Sequence, residues 1–149
     1  DYGVYALSFV CHFLGGAPDW CQSHGSQDAH GSDANWTIVA GRQSRKAVIN
    51  VSSNFHTASR AAVIGENGVI EWGSPFNRTN EITLRSFQSP RKHPKKFTYR
   101  NQGFEFQLEE VTRTLRQGLA ESRILNHQMT LDTLSLADRV RSQVARSEG

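Results

Sequence analysis

The sequence predicts an α+β fold, a mostly antiparallel open sheet with helices packed on one face. Three observations carry this. Residues 2–14 are apolar at helical spacing, residues 34–100 break into short β-branched or aromatic segments split by turn residues, and helical spacing returns from residue 103 onward.

The first helix is read over residues 2–14, with Val4, Leu7, Cys11 and Leu14 on its inner stripe, and Gly15-Gly16 and Pro18 stop it. Residues 22–33, QSHGSQDAHGSD, read as a polar loop. The strand candidates are ANWTIVA, KAVINVSSN, SRAAVIG, GVIEW, EITLRSF and KFTYR. GRQSR (41–45) and GENG (65–68) read as hairpin turns, which imply antiparallel pairing because a parallel pair needs a long crossover. In GFEFQLEEVTRTLRQGLAES, Phe104, Leu108, Val111, Leu115 and Leu119 step by four, three, four and four, one apolar stripe. A last helix fits about 129–146, with Leu131, Leu134, Val140 and Val144 inward and Arg139, Arg141 and Arg146 toward its C-terminal end. No repeat or long linker interrupts the 149 residues, so one domain is expected over 1–149.

Composition excludes some classes. The apolar share of 37% is too high for a disordered chain. No apolar run reaches the roughly 18 residues of a membrane-crossing helix. The net charge of +3 allows acidic partners without demanding them. Cys11 and Cys21 are too few for a disulfide framework and suit a cytoplasmic chain with reduced thiols.

Few constellations carry chemistry. Asp1 and Tyr5 stand four apart, one turn along one helix face, where a carboxylate can position a phenol for acid–base work. On spacing alone, Asp1 as a cap and Tyr5 as a core aromatic is the simpler reading. Cys11, His12, Cys21 and His24 are metal-ligand types at a spacing that matches no compact zinc pattern, so no metal site is expected. SPRKHPKKFTYR interleaves basic and aromatic residues in outline like a nucleic-acid patch, but a basic entry to an edge strand accounts for it, and no nucleic-acid partner is expected. No strand–Gly-rich turn–helix unit is present, and so no cofactor-binding residues are identified.

Taken together, DYGVYALSFVCHFLGG, RAAVIGENGVIEWGSPF and GFEFQLEEVTRTLRQGLAESRILNHQMTLDTLSLADRVRSQ resemble, in that order, the C-terminal domain of the glucose–fructose oxidoreductase / inositol dehydrogenase / rhizopine catabolism (Gfo/Idh/MocA) family, closest to its dihydrodiol and sugar dehydrogenase branch. The resemblance implies a longer, two-domain protein whose N-terminal Rossmann domain, absent from this chain, binds NAD or NADP. It implies hydride transfer on a sugar, polyol or cyclic alcohol, and a homo-oligomer formed through the sheet face. It assigns the acid–base role to Tyr5 and substrate placement to Asp1, and leaves this chain inactive alone. The family's Glu-Lys-Pro lysine is absent here. The alternative is a non-catalytic oligomerising binding module.

Overall fold

The computed structural model describes residues 2–55, 58–100 and 103–144, with backbone only at Tyr2 and Val144. Its elements run α1 (Tyr2–Leu14), β1 (Trp20–Gln27), β2 (Asp33–Arg42), β3 (Arg45–Ser52), β4 (Ala61–Ile64), β5 (Gly68–Trp72), β6 (Glu81–Ser86), β7 (Lys92–Lys96), α2 (Phe104–Arg116) and α3 (His127–Val144). The fold is α+β and its described strand pairs are all antiparallel, as the sequence predicts. The strands form two sheets, ordered β1-β2-β3 and β4-β5-β6-β7. They belong to two compact units, one of residues 1–56 with 123–149 and one of residues 57–122.

The first unit is built on the alternation of β2. Ala34, Trp36, Ile38 and Ala40 are buried on one face, and the register sets Cys21 against Ala40 and Ile49 against Ile38 on that same face. Helix α1 lays Leu7, Val10, Cys11 and Leu14 on it, and α3 adds Leu136 and Val140. Burying each large aliphatic side chain contributes about 1.5–3 kcal/mol. Val4, expected inside, is exposed.

Two glycines at the helix end do what their sequence position promised. Gly15 and Gly16 take φ values of 81° and 136°, and both amides donate to the Cys11 carbonyl, at 3.0 and 2.9 Å. Arg45 donates to the carbonyls of Phe13 and Leu14 at 3.2 and 3.3 Å, placing a cation at the negative helix end.

The expected polar loop at 22–33 is largely strand β1. Its inward positions are Cys21, Ser23 and Gly25, too small or polar to read as a hydrophobic alternation. Gly25 lies opposite Trp36 because nothing larger fits: a Cβ there would sit 2.7 Å from the indole. Trp20 lies over Gly41 in the same way on the outer face. The edge of β1 is closed by α3. Ser23 N–H donates to Gln143 Oε1 at 2.8 Å, and Gln143 Nε2 donates to the Cys21 carbonyl at 2.9 Å.

Helix α3 begins at His127, and its inward residues differ from those expected. Thr133, Leu136 and Val140 are buried, while Leu131 and Leu134 are half exposed. The apolar residues on this helix outnumber its inward positions, so spacing alone chose the wrong pair. The Val144 side chain and Arg146 lie outside the described residues.

In the second unit, Ala61, Val63, Ile70, Trp72, Ile82 and Leu84 share one face of the sheet by register. The β4–β5 turn is Glu66-Asn67, closed by Gly65 N–H to the Gly68 carbonyl at 2.9 Å. The last strand falls at KHPKK, four residues before the expected KFTYR. A proline in a strand belongs on an edge, and β7 is one. Helix α2 ends three residues before Leu119. Gly118 at φ 64° turns the chain, and Leu119 N–H donates back to the Thr114 carbonyl at 3.1 Å.

Candidate active site

Tyr5 lies in the second turn of α1 and points away from the core. It is 53% exposed, on the helix side opposite Leu7, Val10, Cys11 and Leu14. The core-aromatic reading is therefore corrected. Asp1 falls outside the described residues.

The outward side of α1 is not an ordinary solvent face. One turn beyond Tyr5 stands Phe9, whose ring centroid is 4.6 Å from that of Phe13. His12, exposed, meets the Phe13 ring edge-on at 5.1 Å. A helix apolar on both sides is built to be covered on both. Sequence reasoning placed only Tyr5 here; the signal for Phe9 and Phe13 was the continuous apolar run VYALSFVCHFL, too apolar for a one-sided helix.

The other candidate groups scatter. Cys11 and Cys21 are free thiols inside the core, whereas His12 and His24 are exposed. Burial raises the Cys11 pKa, Asp132 adds to that, and a hydrogen bond with Thr133 opposes it, so the thiol stays protonated at neutral pH. Among the described residues no three His, Cys, Asp or Glu side chains gather as a metal set would.

The basic stretch is edge strand β7, all five of its residues exposed. Lys96 reaches Glu81 at 3.8 Å, and Lys95 lies 5.5 Å from the Phe97 ring centre. It has the form of a lysine-guarded sheet edge.

One ionised cluster is well formed. Arg113 donates through Nε and Nη2 to the two carboxylate oxygens of Glu110, at 2.9 and 2.7 Å. Ser122 donates to the same carboxylate at 2.5 Å. The Arg113 bonds first, then that of Ser122, hold the Glu110 pKa down at about 2. This gives the Gly-Leu-Ala-Glu-Ser segment a structural meaning: Gly118 turns the chain and Ser122 ties it back to α2.

No protein-family model matches the sequence, and no curated protein does. Solved structures do match. The aldose-aldose oxidoreductase from Caulobacter crescentus, crystallised with glycerol, superposes with a TM-score of 0.74 at 17% identity, covering 97% of this chain and 44% of its own. YvaA from Bacillus subtilis, described as an oxidoreductase, superposes with a TM-score of 0.68 at 9% identity, covering 97% of this chain and 48% of its own. At these identities the likeness shows the fold alone, and that fold is the α+β one expected above. The chain spans less than half the length of either neighbour.

Proposed function

We propose that this chain is the C-terminal, substrate-binding domain of an NAD(P)-dependent oxidoreductase that acts on a sugar, polyol or cyclic alcohol. The carrying observation is the superposition of 97% of the chain on under half of two oxidoreductases. One of these neighbours is an aldose-aldose oxidoreductase bound to glycerol, which supports a polyhydroxy substrate. The outward, 53% exposed Tyr5 supports a second domain lying over that side of α1.

Among the described residues no glycine-rich turn leads from a strand straight into a helix, as a diphosphate cradle would. Gly15, Gly16 and Gly118 close helices, and Gly103 takes a left-handed conformation at the start of α2. NAD or NADP would be held by another part of a longer protein. When bound it supplies or accepts the hydride. The role of this chain is to bind the hydroxylated substrate, with the Tyr5 phenol exchanging a proton with the reacting hydroxyl and the Asp1 carboxylate placing the substrate. We further assign the apolar face of the β4–β7 sheet to a homo-oligomer contact, and a cytoplasmic location.

Tyr5→Phe in the full-length protein that carries this chain tests the assignment. Loss of a general acid–base lowers kcat by about 100- to 10,000-fold, with KM little changed. Normal turnover with sugars and polyols sinks the Tyr5 role. No turnover by the unmodified protein with any of them and either nucleotide sinks the enzyme reading in favour of the non-catalytic module.

A further inference from the structure

Helix α2 buries Thr114 and exposes Phe104, Leu108, Val111 and Leu115, so its apolar stripe faces outward. The reactive group of the second unit lies elsewhere, at the tip of the β4–β5 hairpin. Asn67 stands there, exposed. It is the one asparagine of eight that precedes a glycine.

We propose that Asn67 is a site of spontaneous covalent modification, which closes onto the Gly68 amide, loses ammonia and becomes aspartate or isoaspartate. The Gly68 backbone nitrogen attacks Cγ of the Asn67 carboxamide. A C–N bond forms and the Cγ–Nδ2 bond breaks. The leaving nitrogen departs as ammonia, taking the proton of the Gly68 amide. Water then opens the five-membered succinimide. Addition at Cγ gives aspartate, and addition at the main-chain carbonyl carbon gives isoaspartate. Water is the only co-reactant, and nothing is oxidised or reduced.

The hairpin leaves the attacking nitrogen free. The Asn67 carbonyl accepts the Phe87 N–H at 3.0 Å, so residue 67 faces β6. Successive residues of a paired strand direct their hydrogen-bonding groups to opposite sides, which turns the Gly68 N–H away from β6 and toward Gly65. Gly65 donates to the Gly68 carbonyl at 2.9 Å, and among the described residues no bond returns from the Gly68 N–H to Gly65. The nitrogen is also unshielded, for a structural reason. A Cβ at residue 68 would sit 2.4 Å from the Arg85 carbonyl oxygen, a backbone atom of β6. The close approach of β5 to β6 thus requires a glycine directly after Asn67.

The two products differ in what they do to the sheet. Aspartate sets a second carboxylate beside Glu66 in the turn. Isoaspartate routes the main chain through the side-chain methylene, one atom longer. The carbonyl that holds the Phe87 N–H then leaves the main chain as a free carboxylate, and the first β5–β6 pair loosens.

The full chain, kept folded in mildly alkaline buffer and sampled over days, is digested with trypsin. The peptide 61–78 carries Asn67 and Asn77, and fragmentation tells them apart. The expected result is loss of the Asn67 carboxamide, with one ammonia released per chain, both products at residue 67, and the other seven asparagines intact. A synthetic GENGV peptide gives the rate without the fold, and the folded chain should react at a rate of the same order. Asn67→Ser should release no ammonia on that timescale. The aged chain should melt below Asn67→Asp, which carries the charge without the longer backbone. Asn67 intact in the folded chain while the peptide reacts overturns the proposal, because the fold then shields the Gly68 nitrogen. Ammonia release that persists in Asn67→Ser overturns it too. Equal melting of the aged chain and Asn67→Asp overturns the loosening of the β5–β6 pair.

Discussion

Gln143 on α3 and Ser23 on β1, 120 residues apart, are joined side chain to backbone at 2.8 Å. The same amide donates to the Cys21 carbonyl at 2.9 Å, and the Ser23 hydroxyl lies 2.9 Å from Gln143 Oε1. One glutamine thus serves the free edge of the strand as a neighbouring strand would. It satisfies a donor and an acceptor that α3 would otherwise cover unpaired.

Gln143→Leu keeps the bulk and removes these bonds. Leaving a part-buried N–H and C=O unsatisfied costs about 1–3 kcal/mol each at most. A chain of this size should lose about 2–4 °C of melting temperature per kcal/mol. Thermal unfolding followed by circular dichroism reads this directly. An unchanged midpoint would show that water replaces Gln143 at no cost.

Gly25 and Gly41 each lie against a tryptophan, and alanine should discriminate between them. At Gly25 a Cβ would meet the buried Trp36 ring at 2.7 Å and the Asn35 carbonyl at 2.8 Å. Neither can move freely, so Gly25→Ala should cost about 1–3 kcal/mol by overpacking. At Gly41 the obstacle is only the Trp20 side chain, itself exposed, which can swing aside. Gly41→Ala should therefore be the milder change, and chemical denaturation of both variants checks the order.

Glu110 supplies the pH dependence. Its pKa is lowered to about 2 in the folded chain by Arg113 and Ser122. The unfolded chain binds that proton more tightly. The stabilisation from this carboxylate is therefore complete above the ordinary carboxylate range, near pH 4.3, and is lost as pH falls toward 2. Glu110→Gln should flatten that part of the stability profile and leave neutral pH dependence unchanged. Unfolding midpoints measured from pH 6 to 2 for both proteins test it. Parallel profiles would count against the Glu110–Arg113 bonds in solution.

The readable parts of this protein were those where burial imposes a regular period. Leu7, Cys11 and Leu14 on α1, and Ala34 to Ala40 on β2, could be placed because one face of each meets the core. The hairpin turns at 43–44 and 66–67 lay within the segments read as turns, since they depend on local backbone chemistry. Strand β1 escaped because Gly25 faces Trp36 and Ser23 meets Gln143, so its partners supply what its own residues lack. The sequence placed Tyr5 on α1, as the structure does, but its outward direction came only with the structure.

By itself the sequence determined the α+β class, the antiparallel pairing and most helix and strand positions, because local period and turn chemistry act within a few residues. Which face of α2 and of α3 turns inward was decided only by the tertiary structure. Both helices carry more apolar residues than their own units can cover, and spacing along the chain cannot say which of two apolar stripes finds a partner.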